Sequence, residues 1–250
     1  MVENQLLSGL ILADKPEGIT SFRMDSLVRR FSGVKKVGHV GTLDPFATGL
    51  LPICVGSSTR LIRYMDDYDK TYECKTVFGA FSDTQDPAIK ISGRPAYSYA
   101  RKGLEVDIKP RRISIFSTEV LSIEVQPIFS VVFRVRCSKG TYIRSICQEL
   151  GEFTGYGAYA SSLRRTTCGA LRIEDAVTLD KLEELSRQDQ FSKAFLSDLL
   201  CVEHLPQIEV GVDETNAIRQ GKKLPLQLFE ERLISAWPSY DESTRYRAMS

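Results

Sequence analysis

The hydrophobic period of this chain changes from two to about 3.6 across residues 129–150, and that switch constrains the fold more than any other feature. From Phe129 to Cys137, Val131, Phe133, Val135 and Cys137 alternate with Val132, Arg134 and Arg136, the pattern of a strand with one face in a core. Beyond Ser138-Lys139-Gly140, Ile143, Ile146, Cys147 and Leu150 recur at i, i+3, i+4 and i+7. Thr141–Leu150 therefore reads as a helix burying one stripe, with Gly151 as its C-cap. A half-buried strand running into an amphipathic helix calls for a sheet that helices cover.

The rest of the chain agrees. Gly9–Ala13, Gly49–Val55, Thr71–Phe81 and Arg112–Glu124 read as strands, and Leu163–Thr167 as a short extended segment. Thr20 or Ser21 caps a helix to about Phe31 with Met24, Leu27, Val28 and Phe31 inward. Ser57–Met65 and Tyr97–Lys102 read as brief helices, and Thr178 caps another through Leu185. Lys36–Ala47 has Gly, Pro and no period, so it reads as a loop. The expected class is α+β, a mixed, largely antiparallel sheet flanked by helices. From about Leu205 the pattern becomes short β-like pieces, Gln207–Val210 and Leu233–Ala236, with a turn at Gly221. That predicts two domains, residues 1–200 and a small C-terminal β domain over 201–250.

Several function classes drop out. No apolar run approaches the ~20 residues that cross a bilayer. Met1–Gln5 lacks a basic start followed by an apolar stretch, so a cytoplasmic protein is expected. The six cysteines are scattered with no C-x-x-C pair, which predicts buried, reduced thiols. The two histidines, His39 and His204, are far apart, so neither a metal site nor metal catalysis is expected. Net charge is only +1, but Arg23, Arg29, Arg30, Lys35, Lys36 and His39 form one basic stretch. Arg134, Arg136, Lys139, Arg144, Arg164 and Arg165 form a second. Two such stretches converging in the fold would attract a polyanion.

The segment Gly38–Pro52 places Asp44 in a loop punctuated by Gly41, Pro45 and Gly49 and anchored by Leu50-Leu51. Such a loop can present one acid to a cleft. An aspartate, ordinarily titrating near ~3.9, is ionised at neutral pH and can serve as nucleophile or base. By spacing alone, Asp44 could equally make an Asx-turn with Pro45.

Five ordered motifs carry a resemblance. Leu12-Ala13-Asp14-Lys15-Pro16-Glu17-Gly18-Ile19-Thr20-Ser21, Gly41-Thr42-Leu43-Asp44-Pro45, Lys70-Thr71-Tyr72, Gly140-Thr141-Tyr142-Ile143-Arg144 and Leu163-Arg164-Arg165-Thr166 with Gly169 follow one another along the chain. Together they resemble the bacterial tRNA pseudouridine-55 synthases and their archaeal and eukaryotic relatives. The resemblance runs from residue 9 to about residue 185 and implies the pseudouridine synthase fold with a small, PUA-like C-terminal domain. It implies isomerisation of a uridine in the T-arm stem-loop of tRNA, reached by base flipping. Asp44 then matches the catalytic aspartate, attacking at uracil C6 or through the sugar C1′. Tyr72 matches the tyrosine against the flipped uracil, and Arg144 the arginine that pairs with the aspartate. His39, Tyr142 and Leu163 match substrate-binding positions, with His39 able to stack in the gap left by flipped nucleotides. No cofactor and no protein partner are implied, and a monomer working on tRNA alone is expected.

One departure stands out. After Asp83-Thr84-Gln85-Asp86 the family continues through a long RNA-contacting segment, whereas here Pro87-Ala88-Ile89-Lys90 follows at once. Either the protein lacks that segment, or the chain as read passes over an unseen loop. The pattern resumes in mid-motif, which favours the second. Three other functions compete: an RNA-binding or RNA-chaperone protein on the same fold, a guide-RNA-directed pseudouridine synthase, and a uracil-excising glycosylase. The intact Asp44, Tyr72 and Arg144 speak against the first as sole activity, the absence of basic extensions against the second, and the motif combination against the third.

Overall fold

Nine strands join in one sheet in a computed structural model of the chain, which describes residues 7–79, 90–91, 94–95, 112–205, 207–225, 228–229 and 247–249. The elements that build it are β1 (Gly9–Lys15), α1 (Ser21–Ser32), β2 (Val37–His39), β3 (Thr48–Val55), α2 (Ile62–Met65) and β4 (Lys70–Phe78). A two-strand ladder of β5 (Lys90–Ile91) and β6 (Arg94–Pro95) stands apart from the sheet. Then come β7 (Ile115–Glu124), β8 (Ser130–Cys137), α3 (Ile143–Thr154), β9 (Ala158–Cys168), β10 (Leu171–Arg172), β11 (Val177–Thr178) and α4 (Leu179–Arg187). The sheet order is β11-β1-β3-β9-β4-β8-β7, with β2 alongside β3 and β10 alongside β9. Only β1–β11 and β3–β9 run parallel, so the mixed, largely antiparallel class holds.

The central strand β3 is apolar through Leu50, Leu51, Ile53, Cys54 and Val55, and all five are buried. That continuous run fits a strand covered on both faces. Against it, α1 sets Met24, Leu27 and Val28, while α4 sets Leu182 and Leu185, in one cluster with Ile11, Ala13, Leu51 and Ile53. Each fully buried side chain of this kind contributes about 1.5–3 kcal/mol. A second cluster joins α3 to the other half of the sheet through Ile143 and Cys147, packed with Cys74, Phe133, Val135 and Leu163. The alternation along β8 is as expected, with Phe133, Val135 and Cys137 buried. All six cysteines are buried free thiols.

Three local expectations need correction. The helix after β8 runs Ile143–Thr154, and its left-handed C-cap is Gly155 (φ 75°), not Gly151. Gly151 is small for another reason: a Cβ there would lie 2.1 Å from the Ala158 amide nitrogen, where β9 begins. The stretch 36–47 is not all loop, since β2 adds to the edge of β3 with Val37 opposite Val55 and His39 opposite Ile53. In the C-terminal region, α5 (Val212–Arg219) stands where only β pieces were expected. Glu214 accepts a hydrogen bond from the Gly211 amide at 2.6 Å and caps it.

The chain divides into two compact units, Met1–Leu196 and Ser197–Ser250. The second contains α5 and a parallel pair, β12 (Gln207–Glu209) with β13 (Arg247–Met249), and buries Ile208 and Phe229. The expected strand Leu233–Ala236, the helix Tyr97–Lys102 and the Thr84–Lys90 junction, apart from its last residue, lie outside the described residues. Among the described residues no helix is long and apolar enough to cross a membrane.

Candidate active site

The Asp44 loop is held from two sides. On one, the turn after β1 is bolted to the residues that flank Asp44. Ser21 accepts a hydrogen bond from the Leu43 amide at 2.9 Å and donates to its carbonyl at 3.1 Å, while the Gly18 amide donates to the Pro45 carbonyl at 2.8 Å. Lys15, fully buried at the end of β1, donates to the carbonyls of Pro16 at 2.9 Å, Ile19 at 2.7 Å and Pro45 at 3.3 Å. Burial pushes the Lys15 ammonium below its ordinary range, and the negative charge of Asp44 opposes that shift. Thr20 accepts from the Arg23 amide at 3.0 Å, so α1 begins where the turn ends.

On the other side stands Arg165, an arginine on β9 with no exposed surface. It donates through Nε to the Leu50 carbonyl at 2.7 Å and through Nη2 to those of Gly41 at 2.9 Å and Val40 at 3.4 Å. One planar cation thus gathers both ends of the loop, a task suited to the fixed fork of a guanidinium. The loop's glycines fit around it. Gly41 (φ 66°) would set a Cβ 3.0 Å from Nη1 of Arg165, and Gly49 (φ 102°) would set one 2.3 Å from the Arg165 carbonyl oxygen.

Within this frame Oδ2 of Asp44 lies 3.1 Å from Nε of Arg144, in the first turn of α3. Both side chains keep partial exposure, so the carboxylate can be reached from outside. Leu43 and Ala47, on either side of Asp44, pack in one cluster with Leu163 and Ile143, and Tyr72 and Phe46 pack against it. Tyr72 sits opposite Arg165 across β4 and β9. Burial raises the Tyr72 phenol above its ordinary range, while the nearby Arg165 charge works the other way. Tyr142 is the N-cap residue of α3, two positions before Arg144. His39, at the end of β2, hydrogen-bonds Asp25 through Nδ1 at 2.9 Å and Thr42 through Nε2 at 3.2 Å.

Sequence-predicted Asp44, Tyr72, Arg144 and Leu163 are therefore brought together around one loop. His39 reaches the same loop at Thr42, and its ring is largely buried instead of offered for stacking. The cations of the second basic stretch are paired with acids. Arg134 pairs with Glu73 and Glu119 at 2.8 Å each, Arg136 with Asp69, Lys139 with Asp67, and Arg164 with Asp14 at 2.8 Å. Arg165 was grouped with these cations, yet it supports the loop from inside. Its role had a signal: along an extended Leu163-Arg164-Arg165 segment, residues 163 and 165 share a face, so an inward Leu163 takes Arg165 inward too. Among the described residues no cluster of three or more His, Cys, Asp or Glu could hold a metal ion.

Comparison with known proteins identifies the family. A family model described as TruB family pseudouridylate synthase (N terminal domain) matches residues 29–87 and 87–143, and one described as tRNA pseudouridylate synthase B C-terminal domain matches 144–204. The chain is 34% identical to tRNA pseudouridine synthase B of Geobacillus kaustophilus over 268 aligned positions, covering 91% of this chain and 94% of that protein. It is 36% identical to the protein of that name from Ralstonia nicotianae, covering 88% and 82%. Among solved structures it resembles a chain of the archaeal box H/ACA sRNP Nop10-Cbf5 complex with a TM-score of 0.70 and 29% identity, covering 90% of this chain and 70% of that one. It also resembles a chain of an H/ACA RNP bound to a substrate RNA containing 2′-deoxyuridine, with a TM-score of 0.69 and 30% identity, covering 86% and 67%. The N-terminal family model matches in two pieces meeting at residue 87, and the 268 aligned positions exceed the 250 residues of the chain. The sequence thus carries fewer residues than the relative over the aligned region, which fits the departure seen after Asp86.

Proposed function

This chain belongs to the TruB family of pseudouridylate synthases, and from that premise we propose that it converts the T-arm uridine at tRNA position 55 to pseudouridine with Asp44 as nucleophile. The observation that carries the reading is the Asp44–Arg144 pair at 3.1 Å, on a loop that Ser21, Lys15 and Arg165 hold from two sides. A nucleophile fixed this way loses little freedom on reaching its target.

The reaction is an isomerisation. Asp44 attacks uracil C6, or acts through the sugar C1′, and the N1–C1′ bond breaks. The uracil turns, C5 bonds to C1′, the bond to Asp44 breaks so that the carboxylate is regenerated, and the proton leaving C5 is balanced by one gained at N1. No atom or electron is gained or lost, so neither an oxidant nor an energy source enters the balance. Arg144 orients the carboxylate by a charge-assisted contact. Tyr72, opposite Arg165 across the β4–β9 pair, offers its ring to the extruded uracil, where stacking stabilises by about 1–3 kcal/mol. Leu163 supplies the apolar wall, Tyr142 stands at the start of α3 two positions before Arg144, and His39 holds the loop at Thr42. Extruding a base from a folded loop costs a few kcal/mol, which the contacts around the site must offset. The protein works in the cytoplasm, as a monomer.

The likeness to H/ACA particle chains gives a guide-RNA-directed reading some support. Coverage favours the stand-alone enzyme: the chain spans 94% of the Geobacillus kaustophilus protein and 70% of the sRNP chain. A transcript of the T-arm stem-loop, incubated with the pure protein and no other RNA, tests both. Carbodiimide mapping should find one new pseudouridine in the loop. No modification would overturn the stand-alone reading, and modification only after adding a guide RNA would establish the other.

Arg144→Lys should lower single-turnover pseudouridine formation by about 100-fold, because an ammonium keeps the charge without the planar fork. Turnover equal to wild type would remove Arg144 from the mechanism.

A further inference from the structure

Phe22 has no part in the site as described so far, yet its surroundings are unusual. It lies in the first turn of α1 and is 65% exposed. Its ring meets the His39 ring edge-on, with centroids 5.1 Å apart and planes at 83°. The His39 side chain is only 7% exposed, so the aromatic surface presented outward at this point is that of Phe22.

His39 is itself held at both nitrogens, by Asp25 at Nδ1 and Thr42 at Nε2. Asp25 is three residues beyond Phe22, so α1 turns both toward the imidazole. Oδ1 of Asp25 is the one buried side-chain oxygen or nitrogen without a hydrogen-bond partner among the described residues. A buried carboxylate with one oxygen unsatisfied costs stability, and a position as buried as this one would accept an apolar residue more cheaply. The contact that the carboxylate does make is with His39, and what His39 braces is Phe22.

Location connects this stack to the chemistry. Ser21 is hydrogen-bonded to Leu43 through both backbone groups of that residue, and Phe22 and Asp44 are their chain neighbours. The stack is therefore tied to the backbone of the loop that carries the nucleophile, through Ser21 on Leu43 and through His39 on Thr42. Resting on the function proposed above, we propose that Phe22 is a nucleobase-stacking residue of the RNA site, braced by His39, which Asp25 positions. Its ligand is an unpaired base flanking the target uridine, whereas Tyr72 meets the target itself. An exposed phenylalanine is often no more than scattered surface, but a scattered one has no reason to rest on a histidine that a buried carboxylate fixes.

The experiment compares Phe22→Ala, Phe22→Leu and Phe22→Tyr on the T-arm transcript, reading the dissociation constant of the RNA together with KM and kcat. Phe22→Ala should weaken RNA binding and raise KM by about tenfold, with kcat within about twofold of wild type. Phe22→Tyr should restore wild-type values and Phe22→Leu should not, since an aliphatic side chain has no π-face. Unchanged affinity in Phe22→Ala, or full restoration by Leu, would overturn the proposal. Asp25 is tested by ¹⁵N spectra of the imidazoles, of which the chain has two. Neutral His39 should carry its proton on Nδ1, and Asp25→Asn should lose that preference and weaken RNA binding as Phe22→Ala does. A neutral His39 protonated on Nε2 in the wild type would remove Asp25 from the positioning role. Because RNA affinity is read directly, a wild type that binds but does not modify the transcript would sink the functional reading while the stacking test still decides its own question.

Discussion

Asp44→Asn protein is expected to fold, bind tRNA and form no pseudouridine. The amide preserves the shape of the carboxylate and can still accept a hydrogen bond from Arg144, so the loop should keep its path between Ser21 and Arg165. What disappears is the anionic nucleophile. Single-turnover rates should fall by at least about 1,000-fold, the scale of losing the group that forms the covalent bond. RNA affinity should stay within about twofold of wild type, because Asp44 is one small side chain in an extended RNA contact. Filter binding and pseudouridine mapping on the same preparation separate the two effects. An RNA-binding protein without chemistry would be unaffected in both measurements, and wild-type turnover by a sequence-verified Asp44→Asn preparation would end the assignment.

Arg165→Met should be the most damaging substitution away from the reacting atoms. Methionine matches the length of the buried stem but leaves the carbonyls of Val40, Gly41 and Leu50 without their donor. Each unsatisfied buried group costs about 1–3 kcal/mol, less where water can enter. A loss of about 3–5 kcal/mol in urea unfolding is expected. Activity per folded molecule should fall as well, since the loop then positions Asp44 loosely. Arg165→Lys should recover part of the stability and little of the activity, because an ammonium cannot serve both ends of the loop at once. Wild-type kcat in folded Arg165→Met would show that the loop holds Asp44 without this support.

The parts of this structure visible in the sequence are those set by short-range pattern. The α1 stripe of Met24, Leu27 and Val28 and the alternation along β8 follow from period alone, and both fill cores where expected. Asp44 and Arg144 stood out only through the resemblance of their motifs to a known family, which short local runs are enough to carry. Gly151 shows where such reading stops: a glycine near a helix end suggests a cap, but here it admits the backbone of another segment, and nothing nearby in the chain announces that neighbour. The same holds for the second basic stretch. Its arginines look free in one dimension, and the acids that neutralise them, Asp14, Asp69 and Glu73, arrive from distant segments of the chain. Asp25 was unreadable because its partner is 14 residues away on another element. The helix Val212–Arg219 was missed because Glu214 caps it through glycine, without the usual side-chain N-cap.

The position of β9 has a consequence for how the chain acquires its structure. This strand, Ala158–Cys168, lies between β3 and β4 in the sheet, although more than 75 residues separate it from either in sequence. A nascent chain can pair β1 with β3, and β7 with β8, from neighbouring or nearby segments, but the two halves have no common strand until β9 has been made. Closing such long loops delays native contacts and slows folding relative to local topologies, toward milliseconds to seconds. Arg165 arrives with the same strand, so the Asp44 loop acquires its inner support only when the sheet becomes continuous. Assembly of the catalytic loop and completion of the domain are then a single late event, and a partly synthesised chain has no competent site with which to engage RNA.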